Sequence, residues 1–252
     1  MEKKSKTRII VIDHLPFVID TVKCELRQWN DPGNRIAFDE LKDEGKYFSM
    51  LYSKDSKNVA DQMQEASLQS TGSMNIIIPS VLLKEHELKD DIQNAINENS
   101  RELNWGIFIG DEAIANRLSG VLPHIDLAGT DHIIDWRSKE LRASDAPYGR
   151  ISLKGMAMSD TGEEYLCFFN TKSRTVYEPE ENMTALPKDV VLLVIPGELK
   201  LDPVAVAREY GMKDTDLLFT HPIQQDLAAN IKPLSETGLP AMIEKNLKAQ
   251  RP

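Results

Sequence analysis

The sequence has only two cysteines, Cys24 and Cys167, in 252 residues. That excludes a disulfide framework, which needs several bridges. No Cys-x-x-Cys pair occurs, and no Cys/His set has the spacing of a zinc site. Both thiols are expected free, in a reducing cytoplasm. Long apolar runs are missing as well. The longest covers residues 190–195, far short of the ~20 residues a membrane-spanning helix needs. Residues 1–6 are charged and the apolar stretch after them is short, so no signal peptide is expected.

A basic surplus is also absent. Lys and Arg number 30 against 40 Asp and Glu, a net charge of −10, and both halves of the chain carry the same acidic excess. Nucleic-acid affinity rests on cations that neutralise phosphates, so nucleic acid is not expected as a partner. Lys3, Lys4, Lys6 and Arg8 form the one basic cluster, and they read as a solvated tail. The Gly-x-Gly-x-x-Gly, Walker and Gly-x-Ser-x-Gly patterns do not occur. No cofactor is implied.

What is present is globular composition, 41% hydrophobic and 28% charged, and an internal repetition. Residues 18–41 align without a gap over residues 133–156, at an offset of 115, with eight of 24 positions identical. The identities include Asp20/Asp135, Glu25/Glu140, Leu26/Leu141, Arg27/Arg142, Pro32/Pro147, Arg35/Arg150 and Ile36/Ile151. Two further blocks follow in the same order, residues 46–51 over 164–169 and 75–79 over 192–196. A tandem duplication is the expectation.

One unit reads as strands closed by helices. Residues 8–13 form a short apolar strand. Residues 17–29 show helical spacing in the first copy, but Arg137 and Ser144 break that stripe in the second, so a β-hairpin is expected in both. Pro32-Gly33-Asn34 and Pro147-Tyr148-Gly149 are turns. Residues 35–41 alternate, and residues 47–52 and 165–169 are nearly continuous apolar strands suited to central positions. Polar connectors follow, the first able to hold a short helix, and then strands at 75–78 and 190–195. Leu88, Ile92, Ala95 and Ile96 trace one face of a helix. Asp202-Pro203 starts its counterpart, which ends at Gly211. Residues 111–118, 214–219 and 239–248 are further helices.

The expected fold is therefore α+β: two tandem, mainly antiparallel β units of about five or six strands, each followed by helices, related by a pseudo-two-fold. The expected divisions are 1–16 as tail and first strand, 17–124 and 125–229 as the two units, and 230–252 as a C-terminal extension with a helix.

Three groups of residues are candidates for chemistry. The segment 123–135 crowds His124, Asp126, Asp131, His132 and Asp135 together. His132, Asp131 and Asp135 are candidate catalytic groups, and His124 and Asp126 candidate metal ligands. Alternation along a strand turns His132 away from Asp131 and Asp135, which argues against one shared site. The other histidines, His14, His86 and His221, have no matching partners. The second group is Asp20, Glu25, Arg27 and Arg35 with Asp135, Glu140, Arg142 and Arg150. Facing carboxylates relieved by arginines read as a structural ion cluster or a partner contact. The third is Gly106-Ile-Phe-Ile-Gly-Asp111 ahead of a helix, a weak anion cradle. Trp29 and Trp136 are unmatched between copies, and either one marks a contact surface if exposed.

These features imply a cytoplasmic, non-enzymatic module that binds another protein or self-associates away from membranes. The alternative is a metal-dependent enzyme or small-ligand binder with its site near residues 124–135, between the repeats. A second alternative is an acidic mimic of nucleic acid.

Overall fold

The computed structural model describes residues 7–60, 72–85, 87–145 and 149–250. The helix considered for the first connector falls largely outside them. By its contacts the chain divides into unit 1, Met1–Val121 with Lys213–Phe219, and unit 2, Leu122–Met212 with Thr220–Pro252. The class is mixed α+β. Every ladder is antiparallel, and six α-helices lie among the described residues.

Unit 1 holds β1 (Ile9–Ile12), β2 (Leu15–Asp20), β3 (Glu25–Gln28), β4 (Arg35–Ala37), β5 (Lys42–Asp43), β6 (Tyr47–Ser53), β7 (Asn58–Val59) and β8 (Ser73–Pro79). These are followed by α1 (Ser80–Lys84), α2 (Asp90–Leu103), β9 (Ile107–Gly110) and α3 (Glu112–Leu118). One sheet has the order β4-β3-β2-β1-β9, and in the other β6 lies between β8 and the pair β5 and β7. The core draws on both sheets: Ile10, Ile12, Phe17, Ile19, Leu26 and Ile36 from one, Met50, Tyr52, Ile76 and Ile78 from the other. All four residues of β1 are buried, because α3 packs against β1, β2 and β9. A strand covered on both faces reads as a continuous apolar run.

Unit 2 holds β10 (His124–Leu127), β11 (Thr130–Asp135), β12 (Glu140–Ala143), β13 (Arg150–Ser152), β14 (Ala157–Met158), β15 (Glu164–Asn170), β16 (Thr175–Val176) and β17 (Val190–Pro196). After them come α4 (Glu198–Leu201), α5 (Pro203–Glu209), β18 (Asn230–Lys232) and α6 (Leu239–Ala249). Its registers run parallel to those of unit 1. Ile9 pairs with Val18 and His124 with Ile133; Asp20 pairs with Glu25 and Asp135 with Glu140; Leu26 pairs with Ile36 and Leu141 with Ile151. Tyr47 pairs with Pro79 and Glu164 with Pro196.

The edges differ. In unit 1 the outer side of β1 takes β9. In unit 2 the outer side of β10 takes a parallel bridge between Asp126 and Ala228, while β18 adds to β17.

Several expectations need correction. The sequence alignment of residues 46–51 over 164–169 sets Tyr47 over Tyr165. The ladders place Phe48 opposite Ile78 and Tyr165 opposite Ile195, so Phe48 and not Tyr47 takes the position of Tyr165. A slip of one residue would move every side chain to the other face. The helical stripe is also rotated. Ile92 and Ala95 of α2 are exposed, and the buried positions are Ile96, Asn97 and Ser100.

That helix puts Ile96 into the core and covers a strand edge with its polar residues. Asn97 Nδ2 donates to the Ile109 carbonyl (2.8 Å), the Ile109 N–H donates to Asn97 Oδ1 (2.6 Å), and Ser100 Oγ donates to the Ile107 carbonyl. Polar side chains here complete the backbone of edge strand β9. The 214–219 segment is a run of turns, not a helix. It lies in unit 1, where Phe219 meets Phe108 edge-on at 5.2 Å and Arg101 stacks on the Phe219 ring.

Candidate functional site

The first strands of unit 1 turn Phe17, Ile19, Leu26 and Ile36 into the core, so their neighbours form the opposite face. Across that face the ladders set Ile9, Val18, Arg27 and Arg35 in one row. Asp20 and Glu25 form the next row. Two arginines directly opposite one another repel, and a buried carboxylate sits beside them. Glu25 lies 3.6 Å from Arg27 Nη1 through Oε1 and 3.7 Å from Arg35 Nη1 through Oε2. Asp20 Oδ2 is 3.9 Å from Arg27 Nη1, while its Oδ1 accepts the Val22 and Lys23 N–H groups of the β2–β3 turn.

A cavity of about 340 Å³ opens over this row. Val18, Arg27, Gln28, Trp29, Pro32 and Arg35 line it. The Trp29 N–H donates to the Pro16 carbonyl (2.8 Å), which fixes the chain beyond β3. Arg35 Nε donates to the Pro32 carbonyl (3.1 Å), drawing that guanidinium over the turn. Gln28 is pinned from the core side, where its Oε1 accepts from Asn34 Nδ2 (2.9 Å) and Asn34 in turn accepts from Asn58 (2.7 Å). Trp105 and Trp136 are 7% and 3% exposed, and only Trp29 reaches the surface.

Comparison with protein-family models, with curated proteins and with solved structures gave no match.

The same face of unit 2 carries the row His124, Ile133, Arg142 and Arg150. Arg142 Nη2 lies 3.1 Å from Asp135, and Arg150 Nη1 lies 3.6 Å from Glu140. Each arginine thus has its own carboxylate. Where unit 1 has Trp29, whose N–H meets the Pro16 carbonyl, unit 2 has Ser144, whose N–H meets the Asp131 carbonyl (3.0 Å). Ser144 Oγ also donates to Asp131 Oδ2, which lies 2.8 Å from His124 Nδ1. The Ser144 hydrogen bond, followed by His124, holds the Asp131 carboxyl below its ordinary range.

The segment 123–135 does not converge on one centre. His132 is 1% exposed, on the core face where unit 1 has Phe17, and its Nδ1 is 2.9 Å from the Thr130 carbonyl. Asp126 Oδ1 accepts the Gly129 N–H (2.6 Å) at the hairpin tip, and Asp135 Oδ1 accepts the Ser138 N–H (3.2 Å). The His124 and Asp131 side chains are 49% and 54% exposed. Ser144 bonds the aspartate and not the imidazole, so the order of groups is not that of a nucleophilic triad. Among the described residues no three His, Cys, Asp or Glu side chains are grouped to hold a metal ion. His86 lies outside them.

The glycines of the Gly106–Asp111 segment serve packing. Gly106 has φ +76°, and a Cβ there would meet Ile76 Cδ1 at 2.6 Å. A Cβ on Gly110 would meet Ile114 Cδ1 at 2.7 Å. Both glycines admit neighbouring side chains. Asp111 caps α3 by accepting the Ile114 N–H (3.1 Å).

Proposed function

We propose that the chain is a non-enzymatic binding module made of two copies of one β unit, and that it docks another protein on the open sheet face of unit 1. The observation that carries this reading is the cavity beside Trp29, which combines two arginines with an aromatic and a proline wall. Tryptophan and arginine are the residues most enriched at binding hot spots. A volume near the bottom of the ~300–1,000 Å³ range of small-ligand pockets suits one or two side chains of a partner better than a whole cofactor.

The duplication is supported by the matching registers of the two units. The copies differ at the proposed surface, Gln28 and Trp29 against Ala143 and Ser144. A difference between the two copies is what an asymmetric partner requires. The module is proposed to act in the cytoplasm. No helix among the described residues is long and apolar enough to cross a membrane.

The enzyme reading draws its support from the His124–Asp131 contact, since an aspartate that orients imidazole is a general-base arrangement. It is the weaker reading, because His132 faces the core and Ser144 is bonded to the wrong partner.

The test is a photo-crosslinking amino acid placed at position 29, and separately at position 144, in the native cell. The expected result is one crosslinked protein from position 29, identified by mass spectrometry. Once purified, it should bind the chain and lose that binding with Trp29→Ala. Equal labelling from both positions, or binding indifferent to Trp29→Ala, overturns the reading.

A further inference from the structure

We propose that the cavity of unit 1 takes a carboxylate side chain from an acidic peptide segment of the partner, seated on Arg27 and Arg35, with an apolar neighbour against Trp29 and Pro32. The proposal rests on the docking reading above and specifies its chemistry.

Charge placement carries it. Arg27 and Arg35 face each other across β3 and β4. Glu25 neutralises them at 3.6 and 3.7 Å, and Asp20 stands at 3.9 Å. All three separations exceed hydrogen-bond length. Glu25 Oε1 is buried without a hydrogen bond. The internal carboxylates therefore offset the charge and leave the terminal guanidinium N–H groups to water. In unit 2 the equivalent arginine lies 3.1 Å from Asp135 and Arg150 lies 3.6 Å from Glu140, so neither shares its carboxylate as Arg27 and Arg35 share Glu25.

A guanidinium presents a planar fork that matches a carboxylate with two parallel N–H···O bonds. Arg35 is already oriented for this, because its Nε is held by the Pro32 carbonyl. The cavity is open, so the ligand oxygens displace water and not protein.

Two features favour a peptide carboxylate over a free phosphate. The walls supplied by Val18, Trp29 and Pro32 are apolar and need a covalently attached apolar neighbour to cover them. A phosphate dianion beside Glu25, on a chain of net charge −10, meets more repulsion than a single carboxylate does.

The experiment uses the full chain labelled with 5-fluorotryptophan, which gives one resonance for each of Trp29, Trp105 and Trp136. Trp29→Phe assigns the first. The probes are the capped peptide Pro-Leu-Glu-Glu, its Pro-Leu-Gln-Gln analogue and inorganic phosphate. The expected result is a saturable shift of the Trp29 signal with the Glu peptide alone, at least about tenfold weaker with the Gln analogue. Arg27→Gln and Arg35→Gln should each weaken it by about tenfold or more, and Arg142→Gln should leave it unchanged.

Arg27→Gln leaves Glu25 buried beside a single cation, so Arg27→Lys is measured in parallel. It keeps the charge, loses the fork, and is expected to bind several-fold more weakly with the Trp105 and Trp136 signals unmoved. A Trp29 shift as large with the Gln peptide or with phosphate overturns the carboxylate assignment. A silent Trp29 overturns it as well. If position 29 still crosslinks to a partner in that case, docking stands and only its chemistry falls; if both are silent, the docking face falls too.

Discussion

Trp136 Nε1 donates to Glu209 Oε2 at 2.7 Å and ties the loop after β11 to the end of α5, 73 residues away in sequence. Lys139 completes the contact. Its Nζ lies 2.6 Å from the same oxygen and 3.4 Å from the centre of the Trp136 ring. Lys139 and then Trp136 hold the Glu209 carboxyl below its usual range. The indole is almost fully buried, so removing its acceptor strands a donor. Glu209→Ala is expected to cost about 1–3 kcal/mol and Glu209→Gln less. Urea unfolding monitored by tryptophan fluorescence measures both. Equal stability of Glu209→Ala and the parent would show that the indole N–H is not held by this residue.

Asn97 substitutes for a missing strand. Its amide group gives and receives one hydrogen bond with Ile109 on the free side of β9. Asn97→Ala is expected to cost about 2–4 kcal/mol, because two buried backbone groups lose a partner. Asn97→Asp sets a carboxylate oxygen against the buried Ile109 carbonyl and is expected to cost at least as much. Amide hydrogen exchange at Ile109 reads the effect directly, and protection there should drop before any loss elsewhere in unit 1.

The two cysteines should behave oppositely. Cys24 is exposed and Cys167 is buried, with burial pushing the Cys167 thiol up to about 11. One thiol per native chain is expected to react rapidly with a disulfide reagent at pH 8, and the second only on unfolding. The raised value also sets a pH dependence. The thiol stays neutral in the folded chain but ionises near pH 8.5 when unfolded. Its contribution is complete below that pH and is lost as pH rises toward 11, on the order of 3 kcal/mol. Cys167→Ala should flatten the fall in urea midpoint between pH 9 and 11.

Asp131 provides the acidic counterpart. Its depressed value, due first to Ser144 and then to His124, adds stability above the ordinary carboxylate range near pH 3.9. That stability is lost as pH falls through the folded value. Carboxyl-carbon NMR of Ser144→Ala should show the Asp131 titration move up toward the ordinary range. No movement would assign the shift to some other group.

Much of the fold was legible along the chain. The Asp20–Glu25 and Asp135–Glu140 hairpins follow from alternation present in both segments, whereas the helical stripe at Val22 and Trp29 is present in only one of the two. The cap at Asp202 and the proline after it placed α5. The site was legible only in part. Asp20, Glu25, Arg27 and Arg35 stood out because they recur, but Val18, Gln28 and Pro32 carried no signal as cavity walls. Trp29 was visible as unmatched, yet its exposure was not. The stripe of α2 was misread because its buried face serves a backbone edge, and hydrophobic periodicity does not register that.

The class, the Pro32-Gly33-Asn34 turn, the Asp20–Glu25 and Asp135–Glu140 registers and the ion-paired rows follow from the sequence, because alternation and turn chemistry act between residues close along the chain, whereas Pro147 and Tyr148 of the second expected turn lie outside the described residues. Tertiary structure alone decided which faces are covered. It set β9 on the edge of β1, aimed Asn97 at its backbone, sent His132 into the core and Phe219 onto Phe108, and left Trp29 half-buried in the wall of the cavity that Arg27 and Arg35 line. These outcomes depend on contacts between segments distant along the chain, which no local pattern encodes.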